Sequence, residues 1–271
     1  MPAGAESSLR IEDNGNHIVV VSDNPAQKNA LTPQYHTLLL DAIEMATKED
    51  RITSIILVGR GGYFSAGGNL DILGGNLDED SRDARYAIVA ELQDCVLAMQ
   101  NCPKPIIAAV DGGAAGAGFS IAMGSDIVVA AEDAMFMPAY VKIGVVPDGG
   151  LSFALAQHLP HTLAAEICLL GAPVSAKTLN AHGLINRLTA PGEAEAEASS
   201  IATKLSRGAV GAHAKIKELL IKGRQNSLKQ QLDLECEILV DILASDAAKE
   251  GIGAFLEKRR PDFAKAEGRS A

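Results

Sequence analysis

VDGGAAGAGFSIAMGSD, running from Val110 to Asp126, decides how this chain folds. It joins an apolar run, PIIAAV (Pro105 to Val110), to a stretch fit for a buried helix, and it places Gly112, Gly113, Gly116 and Gly118 at the joint. A glycine costs about 0.5–1 kcal/mol relative to alanine inside a helix. Their clustering therefore points to close backbone approach, or to a backbone that must present its amides.

The same grammar extends in both directions. SIILVG (Ser54 to Gly59), PIIAAV and DIVVAA (Asp126 to Ala131) are short β-branched runs that suit strands buried on both faces, and the first two lead into glycine-rich turns. Upstream, Asn14-Gly15 separates LRIED from HIVVVS and predicts a β-hairpin over Leu9 to Asp23. Thr32 followed by Pro33 reads as a helix start, and Tyr35, Leu38, Leu39, Ala42, Ile43 and Ala46 continue it at helical spacing to about Lys48. Strand, glycine turn and helix recur through Ala190, which predicts an α/β fold with crossover connections. Beyond Pro191 the pattern is helical, over Glu193 to Leu205, Val210 to Gly223 and Ser227 to Leu243. The expected division is an α/β core over 1–190 and a helical C-terminal region over 191–271.

Composition narrows the function. The 271 residues are 47% hydrophobic and 21% charged, enough for a large core. A net charge of -10 opposes a nucleic-acid partner, whose phosphates need clustered Lys and Arg, while a small anionic ligand stays compatible. Cys95, Cys102, Cys168 and Cys236 lie far apart, with no metal-ligand spacing, so reduced thiols packed as small hydrophobes, no metal site and a cytoplasmic location are expected. The opening MPAGAESSLRIEDNG lacks the basic and apolar regions of a leader. The charge-free span Gly112 to Ser125 falls short of the ~20 residues that cross a bilayer, so no membrane partner is expected.

Three glycine chemistries fail on residue identity. A phosphate loop needs Lys after its last glycine, and Phe119-Ser120 stand there. The dinucleotide fingerprint needs a third glycine where Ile121 stands, and GFSIA lacks the closing glycine of a nucleophile elbow around Ser120. What remains is a strand ending at small residues, with the first helical amides facing substrate. A second such turn, GRGGYFSAGGNLDIL (Gly59 to Leu73), carries Gly67-Gly68. Two turns giving one N–H each to a single carbonyl oxygen would form an oxyanion hole.

The series NALTPQ, YFSAGGNLDIL, PKPIIAAVDGGAAGAGFSIAMGSDIVVAAEDAMF, KIGVVPDGG, HGLINRL and GIGAFLEKRRPDF resembles, in order and nearly end to end, the enoyl-CoA hydratase/isomerase (crotonase) family. That resemblance implies a spiral of ββα units with a helical C-terminal trimerisation region. It implies chemistry on acyl-CoA thioesters through an enolate, with the CoA belonging to the substrate and no further cofactor. Residue by residue it places the oxyanion hole at Gly68 and Ala117, and CoA contacts at Lys28, Ala30 and Ala66. Phe255 and Lys258 would close the site, from a neighbouring subunit of a homotrimer or hexamer.

The two glutamates of typical hydratases align with Ser120 and Tyr140, neither of which is acidic. Asp148, in VVPDGG, stands where several isomerases and a dehalogenating branch carry a carboxylate; Gln93 takes the place of the histidine that branch needs. The expectation is an enoyl-CoA isomerase working through Asp148, nearest to members of aromatic-acid (phenylacetate-type) catabolism. The alternatives are an enoyl-CoA hydratase with an unidentified second acid/base and a catalytically silent acyl-CoA binder. Read on residue type alone, Asp148 is equally an N-cap for GLSFALAQHL. Asp71 and Glu91 are the candidate second carboxylates. His36, His158, His161 and His182 stand without triad partners and read as surface or cap residues. The polar loop Gly74 to Arg85 is the expected lining of the acyl pocket.

Overall fold

Unbroken apolar runs become strands that are covered on both sides, and the computed structural model, which describes residues 8–75 and 81–269, shows how. β1 (Ser8–Asp13) and β2 (Ile18–Asp23) form the expected hairpin. Helix α1 (Pro33–Lys48) starts where Thr32 accepts the Tyr35 N–H, and leads to β3 (Ile55–Gly59). Helices α2 (Leu70–Gly75) and α3 (Arg82–Asn101) precede β4 (Ile106–Val110), β5 (Gly113–Ala115), α4 (Ala117–Gly124), β6 (Ile127–Ala131) and β7 (Met135–Met137). A 3-10 turn over Ala139–Ile143 leads to α5 (Leu151–His158), α6 (His161–Leu170), β8 (Val174–Ser175), α7 (Ala176–Ala181) and β9 (Arg187–Thr189). The chain ends in α8 (Ala194–Ser206), α9 (Val210–Gly223), α10 (Leu228–Leu243), α11 (Asp246–Leu256) and α12 (Phe263–Ala266).

The main sheet runs β1-β2-β3-β4-β6-β9, parallel from β2 onward, and β5-β7-β8 form a smaller sheet beside it. Alternation divides the core. Ile18, Val20, Ile55, Leu57, Ile106 and Ala108 face α1, α3 and α4, while Val19, Val21, Ile56, Val58, Ile107 and Val129 face α8 through Ala194, Ala198, Ile201 and Ala202. The first helix beyond residue 190, α8, packs directly on β3, β4 and β6.

At the far end of the sheet the chain is clamped by charge. Lys217 of α9, 8% exposed, donates to Asp126 Oδ2 at 2.7 Å and to the Met99 carbonyl at 2.9 Å; Asp126 Oδ2 also accepts the Ile106 N–H at 2.8 Å. Glu267 accepts the Val210 and Gly211 N–H groups at the start of α9. Helix α10 buries only Ile238 and leaves Leu228, Leu232, Leu239, Val240 and Leu243 exposed. Of the four cysteines, Cys95 and Cys102 are buried, Cys168 is half-buried and Cys236 is exposed, so the last corrects the expectation of a packed hydrophobe. Among the described residues no helix is long and apolar enough to cross a membrane, and no group of His, Cys, Asp and Glu could hold a metal ion.

Candidate active site

Three backbone ribbons meet beyond the C-terminal ends of β3 and β4. Ala66 N–H donates to the Lys28 carbonyl at 2.8 Å, Leu31 N–H to Gly67 O at 2.7 Å, and Ala115 N–H to Ser65 O at 2.8 Å, with bridges pairing Leu31 to Gly68 and Ser65 to Ala114. Glycine is required by contact here. A Cβ on Gly67, which has φ +91, would stand 2.6 Å from Ala115 O and 3.0 Å from the Ala117 nitrogen, and one on Gly118 would stand 2.6 Å from Ser65 Cβ. The two glycine turns abut. Among the described residues nothing accepts a hydrogen bond from the Gly68 or Ala117 N–H. Ala117 opens α4, where an unpaired amide is the rule rather than a defect.

A peg that sequence reasoning missed holds these ribbons. Asn29 is fully buried at φ +54; its Nδ2 donates to the Arg60 and Tyr63 carbonyls at 2.8 and 2.6 Å, and its Oδ1 accepts the Asn24 N–H at 2.6 Å. Ser65 Oγ donates to the Asn29 carbonyl at 2.8 Å. Asn is the residue type that tolerates this backbone conformation, and that was the available signal in NALTPQ.

Ser120, one turn into α4, and Tyr140 meet Asp148. Tyr140 Oη donates to Asp148 Oδ1 at 2.8 Å, Ser120 Oγ donates to the Asp148 carbonyl at 2.9 Å, and the two hydroxyls lie 2.8 Å apart. Burial pushes the Asp148 carboxyl up, against the Tyr140 hydrogen bond and the charge of His36, which lower it. Burial and the neighbouring Asp148 charge push the Tyr140 phenol far up, which keeps it a donor. Ser120 and Tyr140, which the resemblance sets at the two hydratase-glutamate positions, thus both meet Asp148, Tyr140 at its carboxylate and Ser120 at its backbone carbonyl.

The capping reading of Asp148 is corrected. The cap of α5 is Gly150 in a left-handed conformation with no side-chain hydrogen bond, and Asp148 contributes only its carbonyl, which accepts the Leu151 N–H. His36 is likewise not solitary: its Nδ1 donates to Glu91 Oε2 at 3.0 Å. Asp71 and Gln93 are exposed and join no bond to the Asp148 cluster. The loop expected to line the acyl pocket, 74–85, lies partly outside the described residues.

Lys28, Ala30 and Ala66 lie together on the ribbons that carry Gly68, with Lys28 Nζ 5.4 Å from the Tyr63 ring centroid. Phe255 and Lys258 do not join them. α11 packs on α10 and α12, and a cavity of about 810 Å³ lined by Thr47, Asp50, Lys104, Gly251, Ile252 and Phe263 places this region at the opposite end of the sheet. Phe255 is 83% exposed.

A family model described as enoyl-CoA hydratase/isomerase matches residues 12–266. The chain belongs to the enoyl-CoA hydratase/isomerase (crotonase) family. It is similar to the 1,2-epoxyphenylacetyl-CoA isomerase of Escherichia coli (strain K12), with 30% identity over 241 residues, covering 89% of this chain and 92% of that protein. It is also similar to a trans-2-decenoyl-[acyl-carrier-protein] isomerase of Streptococcus mutans, with 29% identity over 83% of this chain and 86% of that protein. The crystal structure of an enoyl-CoA hydratase from Polaromonas sp. JS666 superposes with a TM-score of 0.91 at 38% identity, covering 93% of this chain and 98% of that one. The crotonase-like fold expected from the motifs is thereby met, and the protein is an enzyme of this family.

Proposed function

We propose that the protein is an enoyl-CoA isomerase in which Asp148 is the base. One observation carries the reading: Asp148, half-buried with a raised pKa, is tied through its backbone carbonyl to Ser120 of α4 and through its carboxylate to Tyr140, beside a helix whose leading amide, at Ala117, has no acceptor among the described residues. Asp148 takes the α proton of a 3-enoyl thioester, the C–H electrons form an enolate, and the Gly68 and Ala117 N–H groups hold its oxygen. Protonation at the γ carbon moves the double bond to the 2,3 position. Each preorganised donor of this kind is worth about 3–4 kcal/mol. Tyr140 Oη, fixed between Ser120 and Asp148, keeps the carboxylate aimed. The reaction needs no cofactor beyond the CoA of its substrate, which Lys28, Ala30 and Ala66 would contact.

Phe255 and Lys258 would reach that CoA only from a neighbouring subunit. The exposed apolar residues of α10 support a homotrimer or a dimer of trimers, in which those helices are covered. A sedimentation mass of one chain at micromolar concentration would contradict the assembly.

Incubation with 3-enoyl-CoA and 2-enoyl-CoA, across short, long and aryl chains, tests the activity by product mass and ultraviolet absorbance. Conversion of 3-enoyl to 2-enoyl-CoA is the expected result. Hydration of 2-enoyl-CoA without that conversion would favour a hydratase, and binding without any turnover would favour a silent acyl-CoA binder.

A further inference from the structure

Helix α1 grows directly from the oxyanion ribbon, because Leu31, two residues before Pro33, donates to Gly67 O and accepts the Asn69 N–H. Helix α3 reaches the other wall of the site. Its Leu92 side chain lies where a Gly149 Cβ would stand, 2.9 Å away, at the same distance as Ser120 Cβ. His36, in the first turn of α1, and Glu91, the residue before Leu92, join the two walls through the 3.0 Å Nδ1–Oε2 bond. A carboxylate only accepts, so Nδ1 carries the hydrogen and Nε2 is the working nitrogen. Nε2 has no partner among the described residues, and the side chains of His36 and Glu91 are 15% and 45% exposed. The Tyr35 ring lies edge-on to the imidazole, Cys95 Sγ lies 3.7 Å from the His36 carbonyl, and the Asp148 carboxyl lies within reach of the His36 charge.

We propose that His36, oriented by Glu91, is a second proton-transfer residue of this site, delivering the γ proton from Nε2 while Asp148 removes the α proton. The proposal rests on the isomerase reading and deepens it. Asp148 breaks the C2–H bond and keeps that proton; the electrons pass through the enolate and out to C4, where the His36 Nε2–H bond is broken and a C4–H bond forms. Asp148 and His36 then exchange their protons with solvent. The electrostatics agree, since positive charge on His36 lowers the Asp148 carboxyl and so favours the carboxylate that acts as base.

The test is isomerisation, in ordinary water, of 3-hexenoyl-CoA carrying deuterium at C2, or of the fastest 3-enoyl-CoA in the panel labelled likewise. Two groups put solvent hydrogen on C4 and lose the C2 label to water. A single shuttle carries deuterium to C4. His36→Gln should lower turnover by roughly 10²-fold with CoA-thioester binding retained. Its acid limb of the pH–rate profile should move to higher pH, because Asp148 loses a stabilising positive charge. Glu91→Gln, at a half-exposed side chain, guards against a folding artefact: it should lower turnover by about tenfold at unchanged thermal stability. Deuterium carried to C4 by the wild type, with turnover unchanged in both variants, would overturn the proposal and leave the isomerase intact. No turnover of any enoyl-CoA by the wild type overturns both.

Discussion

The two ends of the parallel sheet are built by opposite means. Beyond the C-terminal ends of β3 and β4, backbone packs on backbone because side chains are missing, and two amides find no acceptor among the described residues. At the N-terminal ends, charged side chains tie separate segments together: Arg51 to Asp13, Lys217 to Asp126, Arg259 to Glu250, and Arg269 to the Ser206 and Gly208 carbonyls. Glycine turns hold a fixed shape and tolerate almost no added atom. The exposed ion pairs, such as Arg51 to Asp13, hold position and tolerate change, since water screens them and each contributes little, while the buried Lys217 ammonium contributes more. Chemistry that depends on backbone donors belongs at the first end, and docking of the helical region at the second.

The largest effect expected from breaking that contrast is at Asp148. Asp148→Asn keeps an acceptor for Tyr140 but removes the base, so turnover of an enoyl-CoA should fall by roughly 10²-fold or more while thioester binding survives on the untouched amides. Kinetics together with a binding titration check this. Activity retained in the Asn variant would remove Asp148 from its role.

Next is Gly118→Ala. The new methyl carbon would lie 2.6 Å from Ser65 Cβ and 2.7 Å from Ser65 O, neither of them the far end of a flexible chain. Separating α4 from the Ser65 ribbon should cost about 1–3 kcal/mol of stability and lower turnover, because the Gly68 and Ala117 turns move apart. Urea denaturation and steady-state rates read the two parts. A variant as stable and as active as wild type would show that the turns are not in fixed contact.

These residues also mark what the sequence could disclose. The hairpin at Asn14-Gly15, the start at Thr32-Pro33 and the strands over 55–59, 106–110 and 127–131 were legible because local chemistry and burial agree there. The glycine turns were legible because glycine is expensive without a contact to justify it. Asp148 was legible only in part: its place before α5 mimics a cap, and the partners that distinguish it, Ser120 and Tyr140, are 28 and 8 residues away. The His36–Glu91 bond spans 55 positions between two helices, and no local pattern encodes it. The exposed face of α10 shows the converse, a helix whose periodicity was plain and whose apolar face the described residues leave uncovered.

At the opposite end, Lys217→Met removes the ammonium that bridges Asp126 and the Met99 carbonyl while keeping the apolar stem. Asp126 retains the Ile106 N–H and partial exposure to water, so the loss should be about 1–3 kcal/mol of stability. Turnover per folded molecule should not change. A fall in turnover at full folding would mean that the two ends are coupled.

The smallest effect separates the two ends by sign. Asp148 has a folded pKa raised above 3.8 by burial, so between the unfolded and folded values the native state holds more protons. Its contribution therefore makes stability fall as pH rises through that window, with the full penalty present above it. Glu250, exposed at the other end, has its carboxyl pulled down to about 2 by Arg259 and the Asp262 N–H. Its contribution is present above the ordinary glutamate range and is lost as pH falls toward 2. Asp148→Asn should accordingly be as stable as wild type or slightly more so at neutral pH, with the difference shrinking on acidification. Glu250→Gln should be slightly less stable at neutral pH, and that difference too should shrink on acidification. Paired urea titrations near pH 4.5 and pH 7.5 compare the two slopes. A destabilised Asn variant at neutral pH would mean that the Asp148 charge is held for structure, and the site end would then be built on the same terms as the other.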